Sequence, residues 1–319
     1  MLLTAHEVEV FERSRGRMEA IAYRLLGSAG DAEDAVQDTF LRWQSADREQ
    51  IRTAEAWLTK ALTNVCLNRL GSARARREAY VGPWLPEPVL DGDRMLGPAE
   101  TVEQRQTVSL ALLALMERLS PAERSVYVLR EAFGYSHREI AELLDLTEAN
   151  SQQLYRRARL RVGDGRARTE VDPAVAQRVA EEFLAAAIGG DIEPLIKLLA
   201  EDAVSLADNG GGPIPARRSP VVGSVAIAQY LTRGLKPTAG KRALAESVAG
   251  GDVALVTAAV NQSPAVLAIA ENRVIAVIAL ELAEDRVSSL QVQVNPDKLA
   301  HITRQWRTTE HPEQPGITW

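Results

Sequence analysis

Apolar residues recur at helical spacing from residue 4 to about residue 78. Val8, Phe11, Met18, Ile21, Ala22, Leu25 and Leu26 share one helical face, and the stretch from Gly27 to Gly30 interrupts it. A second helix starts at Asp31, with acids where the macrodipole favours them, and carries Ala35, Val36, Phe40, Leu41 and Trp43. The polar run from Gln44 to Thr53 reads as a loop. A long third helix follows from Ala54 to about Arg77, with Trp57, Leu58, Leu62, Val65 and Leu70 inward and a bend expected at Gly71 and Ser72.

Residues 80 to 98 are dense in Pro and Gly and cannot continue a helix. They read as a linker, but Trp84, Leu85, Val89, Met95 and Leu96 are costly to leave in water, so part of it should dock on a domain surface. From Thr101 to Val162 the pattern is helical again. Ser136 and Glu139 form a capping box, and Ile140, Leu143 and Leu144 make the apolar stripe of the helix they start. Thr147 caps the next helix, which puts Gln152, Arg156 and Arg159 on one face, Gln153 and Arg157 beside them, and Leu154 and Ala158 inward. A short helix, a tight turn and a Gln/Arg-bearing second helix are what major-groove reading requires.

After residue 170 the pattern changes. Two amphipathic helices (Val175 to Ile188, Ile192 to Leu199) precede β-rich runs at Ala203 to Leu206, Arg242 to Val248, Val253 to Val260, Val266 to Ala270, Val274 to Leu282 and Val287 to Val294, with a further helix at Val225 to Leu235. Helices followed by an antiparallel meander predict a small α+β domain. The expected organisation is therefore an all-α bundle over 1–79, a linker over 80–100, a helix-turn-helix over 101–163, a short linker over 164–172, an α+β domain over 173–302 and a tail over 303–319.

Composition adds exclusions. The 319 residues are 46% hydrophobic with a net charge of −6, yet no apolar run approaches the roughly 18 residues of a membrane span. The first residues lack the basic start and apolar core of a signal peptide, so a cytoplasmic location is expected. One cysteine, Cys66, excludes an internal disulfide framework and a cysteine-based zinc site, and it reads as a small core residue. Neither a metal nor a cofactor is called for. Charge is unevenly spread. Residues 56–77 hold five basic residues and no acid, residues 152–168 hold six arginines against Asp164, and Asp31, Glu33, Asp34 and Asp38 crowd one short segment. Two basic patches suggest two nucleic-acid contacts, and the acidic one suggests a basic protein surface.

The segment from Asp31 to Trp43, followed by Glu55 to Leu70, resembles region 2 of a bacterial sigma factor of the extracytoplasmic-function group, and the helix-turn-helix resembles region 4 of the same group. Trp84 to Pro88, the run Asn209 to Gly212 and the run Asn295 to Leu299 further resemble a subgroup with a SnoaL-like (NTF2-like) domain fused behind region 4. The resemblance implies a multidomain chain: two all-α sigma domains, then an α+β cone with a curved antiparallel sheet. Its implied partners are core RNA polymerase, through the β′ clamp helices and the β flap, and promoter DNA. It implies polymerase binding by Asp34, Gln37 and Asp38, which share a helix face. Contacts near the minus-ten element would come from Asn64, Asn68, Arg69, Arg74, Arg76 and Arg77. The minus-thirty-five element would be read by Gln152, Gln153 and Arg156, with Arg157, Arg159 and Arg161 on phosphates. Trp84, Leu85, Pro86, Gly210, Gly211, Gly212, Asn295, Pro296, Asp297 and Lys298 would join the linker to the last domain. That domain would modulate the factor, with an unknown small ligand in its pocket as an open option. Two other readings stay open at this point. One is a one-component regulator with a ligand-sensing cone. The other is an isomerase or cyclase, for which Asp208 is the best acid and no histidine lies in the strands.

Overall fold

A computed structural model describes residues 3–78, 80–97, 107–163, 172–235, 238–240, 243, 246–247, 250–309 and 317–318, and leaves the side chains of 73–79 undescribed. The chain forms two compact units: Met1–Ala79, Gly92–Val108 and Leu112–Gly165 make the first, and Tyr80–Asp91, Ser109–Ala111 and Arg166–Trp319 the second.

The first unit is helical. Helices α1 (Ala5–Leu26), α2 (Ala29–Ser45) and α3 (Ala54–Glu78) pack on one another around Phe11, Ile21, Leu25, Ala35, Val36, Leu58 and Leu62. Each start is chemically marked. The Thr4 hydroxyl and the Glu7 carboxylate form a capping box, and Ser28 accepts from the Asp31 N–H. Gly27 ends α1 in the left-handed region at φ 67°, where a side chain is disfavoured. Helix α3 is continuous through Gly71 and Ser72, with open space around Gly71. After α4 (Leu110–Met116), the remaining helices of the unit are α5 (Pro121–Glu131), α6 (His137–Leu144) and α7 (Glu148–Val162). Val126, Leu129, Ile140 and Leu143 form their core, with Leu154 and Tyr155 packed against it.

Two local features of this unit are open to test. Gly97 has φ +65°, and a Cβ there would lie 2.8 Å from the Ala20 Cβ. Gly97→Ala should therefore lower the unit's stability by about 1–3 kcal/mol, read from the urea midpoint. Cys66 is fully buried, and burial pushes its thiol up to about 12 from an ordinary 9.0. A thiol reagent at pH 8 should leave it untouched until the chain unfolds. Its folded-state value is raised, so its contribution is present below pH 9 and is lost as pH rises from 9 toward 12.

The second unit is α+β. Helices α8 (Pro173–Gly189), α9 (Ile192–Leu198) and α10 (Ser224–Leu235) cover one face of a seven-stranded sheet ordered β2-β1-β6-β5-β4-β3-β7. The strands are β1 (Leu199–Asp208), β2 (Val221–Val222), β3 (Ala254–Val260), β4 (Ser263–Ala270), β5 (Arg273–Ala283), β6 (Arg286–Gln293) and β7 (Ile317–Thr318). The meander β3–β6 is antiparallel, as its turn signals require. The sheet as a whole is mixed, however, because β1 pairs with β6 in parallel. The long connection between these two strands carries α10 and leaves room for the crossover a parallel pair needs. The strand expected at Arg242 to Val248 is absent: its described residues, Ala243, Glu246 and Ser247, are helical. A short alanine-rich run fits either period, and helix won here. The opposite sheet face packs on Leu90, Leu110 and helix α11 (Ala300–Thr308), where Leu267, Val277, Ala279, Leu299 and Ile302 are buried.

Candidate functional site

Three sites emerge from these elements. The first is the acid face of α2. Asp34 and Gln37 are exposed and Asp38 is half-buried, so the i, i+3, i+4 spacing presents them together. Arg69 of α3 reaches across to this face. Its guanidinium lies 2.7 Å from Asp38, 3.6 Å from Asp34 and 3.7 Å from Asp31. Burial works against the Arg69 cation, but the Asp38 hydrogen bond and the three carboxylates outweigh it and raise its pKa above the ordinary arginine value. One residue expected on DNA is thus held by the acids expected on polymerase. Asn68 is exposed and Asn64 half-buried on the same helix. The side chains of Arg74, Arg76 and Arg77 lie outside the described residues. Trp57 is half-buried and packs tilted against Trp43, with ring centroids 5.5 Å apart, rather than standing as an open stacking platform.

The second site is the outer face of α7. Gln152, Gln153, Arg156, Arg157 and Arg159 are all exposed. An open groove of about 780 Å³ is lined by His137, Gln152, Tyr155, Arg156, Arg159 and Leu160. The helix is set in place from behind. Ser151 is buried and lies 3.0 Å from His137 Nδ1, while Tyr155 hydrogen-bonds the Glu131 carboxylate and stacks on Tyr127. Burial, aided by the charges of Arg130 and Arg156, lowers the His137 pKa, which favours the neutral ring. His137 is therefore half-buried and bonded at the start of α6. Arg161 pairs with the buried Glu123 carboxylate at 2.6 Å, which ties this phosphate candidate into the fold.

The third site joins the first half of the linker to the α+β domain. Asp208, fully buried at the end of β1, accepts from Tyr80 Oη (2.6 Å), Gly210 N (3.0 Å), Leu85 N (2.8 Å) and Lys298 Nζ (2.7 Å). Lys298 Nζ also donates to the Leu85 carbonyl at 2.7 Å and sits 4.0 Å from the Trp84 ring centroid and 4.7 Å from that of Tyr80. Asn295 donates to the Tyr80 oxygen, and Gln293 donates to the Pro86 carbonyl. Burial and the Asp208 carboxylate push the Tyr80 phenol well above its ordinary value. Gly210, at φ 54°, lies so close to Asn295 and Tyr80 that a Cβ would overlap both, and Gly212 crowds Pro296. The structure thus brings Trp84, Leu85, Pro86, Gly210, Gly212, Asn295, Pro296 and Lys298 into one cluster. Tyr80 is not marked in the sequence, and Asp208 stands out there only as the best acid, not as the anchor of the linker. With both its oxygens engaged, Asp208 is not poised as a general base. A cavity of about 190 Å³ nearby is lined by Ile214, Val274, Val294 and Leu299 among others; among the described residues lining it Arg273 alone is titratable, so they supply no acid–base pair.

Comparison with known proteins matches this layout. Residues 10–76 match Sigma-70 region 2, and residues 109–162 match Sigma-70, region 4. The chain is 33% identical over 296 residues to the ECF RNA polymerase sigma factor SigJ of Mycobacterium tuberculosis, covering 92% of this chain and 93% of that protein. It is 32% identical over 292 residues to the probable ECF RNA polymerase sigma factor SigI of the same organism, covering 89% and 92%. The crystal structure of M. tuberculosis SigJ superposes with a TM-score of 0.69 at 29% identity, covering 92% of this chain and 98% of that one. A promoter-recognition class is thus defined by two sigma-70 regions in order, with a helix-backed α+β domain behind them. The chain belongs to the extracytoplasmic-function family of RNA polymerase sigma factors. Sigma factors of this family bind core RNA polymerase and promoter DNA and are not enzymes. No helix among the described residues is long and apolar enough to cross a membrane.

Proposed function

We propose that the three sites divide the work of initiation. The acid face of α2 (Asp34, Gln37, Asp38) docks on a basic surface of polymerase, taken as the β′ clamp helices, and region 4 sits by the β flap. Asn64, Asn68 and the arginines ending α3 hold the opened minus-ten strand, where stacking and charge suffice. Gln152, Gln153 and Arg156 read the minus-thirty-five duplex, and Arg157 and Arg159 hold its phosphates. The cluster around Asp208 makes the α+β domain a modulator in cis, acting through the linker that leads from region 2 to region 4. The factor works in the cytoplasm, where polymerase is.

The observation that carries this reading is the separation of two exposed, chemically opposite faces: carboxylates on α2, amides and guanidinium groups on α7. Run-off transcription with core polymerase tests it. Asp34→Asn combined with Asp38→Asn should weaken core binding about tenfold or more while leaving duplex binding by α7 intact. Equal core affinity for this variant and the wild type would refute the assignment. Trp84→Ala, which removes the ring over Lys298, should change run-off yield without unfolding the helical unit. Unchanged yield would count against modulation through the linker.

A further inference from the structure

The cavity beside the linker cluster is built where β5 begins and β6 has just ended. Val294 belongs to the helix-covered core, and Ile214 and Ile275 pack against it. Val274 and Leu299 belong to the core on the other sheet face. The cavity, about 190 Å³, therefore lies at the seam between the two cores of the α+β unit. It shares three segments with the cluster that holds the linker. The 3-10 turn Pro296–Leu299 puts Pro296 and Leu299 into the cavity wall and Lys298 onto Asp208 and the Leu85 carbonyl. Asn209 Nδ2 donates to the Ile214 carbonyl at 3.1 Å, and a Cβ on Gly212 would lie 3.0 Å from Pro296 Cδ, so the loop that carries Gly210 also forms a wall. Val294 N donates to the Asp208 carbonyl at 2.9 Å.

The lining states what could enter. Its walls are apolar, and their hydroxyl is already used: Thr303 Oγ1 accepts from Val274 N at 3.2 Å. None of the described lining residues is acidic, and Arg273 is exposed at the start of β5. A second guanidinium stands by the same turn, where Arg307 Nε donates to the Asn272 carbonyl at 3.1 Å. Burial favours an apolar body, whereas a carboxylate is stable only at the rim, paired with a cation and still touched by water. The volume holds about six waters at roughly 30 Å³ each, and lies below the roughly 300 Å³ at which drug-sized pockets begin. An acid the size of hexanoate or benzoate matches both the volume and the charge.

We propose that this cavity binds a small organic carboxylate, with its apolar body against Ile214, Val294 and Leu299 and its charge on Arg273, and that binding tightens the hold of the α+β domain on the linker. The proposal rests on modulation through the linker as set out above. A body in the cavity packs on Pro296 and Leu299, and so braces the turn that presents Lys298 to Asp208 and Leu85. Release of the linker would free Lys298, loosen that turn and cost the ligand its wall. A ligand that binds the closed form alone favours it by mass action. The site is regulatory rather than catalytic, because its lining offers a cation and no base.

Titration calorimetry on the full chain tests it, with hexanoate and benzoate as probes and 1-hexanol as the uncharged control. At least one acid should bind saturably and about tenfold or more tighter than the alcohol. Arg273→Gln should erase that advantage, and Arg273→Lys should keep most of it. Ala300→Phe and Pro213→Phe, which fill the cavity from two exposed positions, should each abolish binding in a chain that still melts cooperatively. At ten times its Kd, the acid should slow proteolysis near residue 84 about tenfold. No saturable binding by either acid, or binding that survives both filling variants, overturns the site. Binding without protection of the linker overturns the coupling. Unchanged run-off from Trp84→Ala would instead overturn modulation through the linker and leave the calorimetric result standing.

Discussion

Asp208→Asn is expected to lower the stability of the α+β unit by about 3–5 kcal/mol. The reason is what remains behind. Lys298 is 7% exposed, and its ammonium group would lose its bonded carboxylate while keeping the Leu85 carbonyl and two aromatic faces. Removing one partner of a buried pair leaves an uncompensated charge, which costs far more than the intact pair contributes. The asparagine amide would also point a donor at Tyr80, Leu85 N or Gly210 N, all of which donate in the native chain. Asp208→Asn with Lys298→Met should recover a large part of the loss, because the charge is removed with its partner. Urea denaturation of the full chain, followed through tryptophan fluorescence, would measure both. A double variant as unstable as the single one would show that the backbone donors, not the lysine, set the cost. The single variant should also release Tyr80 and Leu85, so the linker should become sensitive to protease near residue 84.

The second large effect concerns the reader helix. Arg156→Ala should weaken minus-thirty-five binding by the holoenzyme about ten- to a hundredfold, the range of about 1–3 kcal/mol for a base-reading arginine. Specificity should relax at one base pair only. Arg157→Ala should instead weaken all sequences alike and reduce the salt slope by about 1. Fluorescence anisotropy over a salt series, with matched and single-mismatch duplexes, separates the two roles. Neither change should alter core binding, since both side chains are exposed on α7, away from the acids of α2. A uniform loss for Arg156→Ala across all duplexes would move that residue from base reading to phosphate holding.

The helical half was largely legible in the chain because its signals are local. The capping box at Ser136, the Thr147 cap and the apolar stripe of α6 mark α6 and α7 within a few residues of their observed bounds. A hydroxyl three residues ahead of a carboxylate needs no tertiary partner to start a helix. The exposed face of α7 followed from the same local logic. The strands of the meander were equally readable from their alternation, and Asn261 and Asn272 at their turns adopt positive φ. The run from Arg242 to Val248 misled for the same reason: seven small, apolar and polar residues carry no decisive period.

Long-range pairings were not legible. Nothing near Arg69 in the chain announces that it crosses to Asp38, 31 residues earlier, and its basic neighbours suggested DNA instead. The sequence marks Asp208 as an acid but not as the linker's anchor, because its ligands come from positions 80, 85 and 298. Arg24 and Arg124 sit in helices where an arginine is ordinarily a solvated residue, and no spacing rule marks one as buried.

By itself, then, the amino-acid sequence determined most of the helices and their starts, which faces are apolar, and that two basic segments flank a Pro/Gly-rich linker. Those properties depend on neighbours within a turn or two, where backbone hydrogen bonding and side-chain periodicity decide the outcome. Only the tertiary structure decided which charges are spent inside the protein and which are left for partners. It holds Arg69 on the acids of α2, Arg24 and Arg124 between regions 2 and 4, and Lys298 on Asp208 beneath the linker. Desolvation is the physical reason. The worth of a charge depends on what surrounds it in space, and a folded chain brings together groups that its order along the sequence keeps apart.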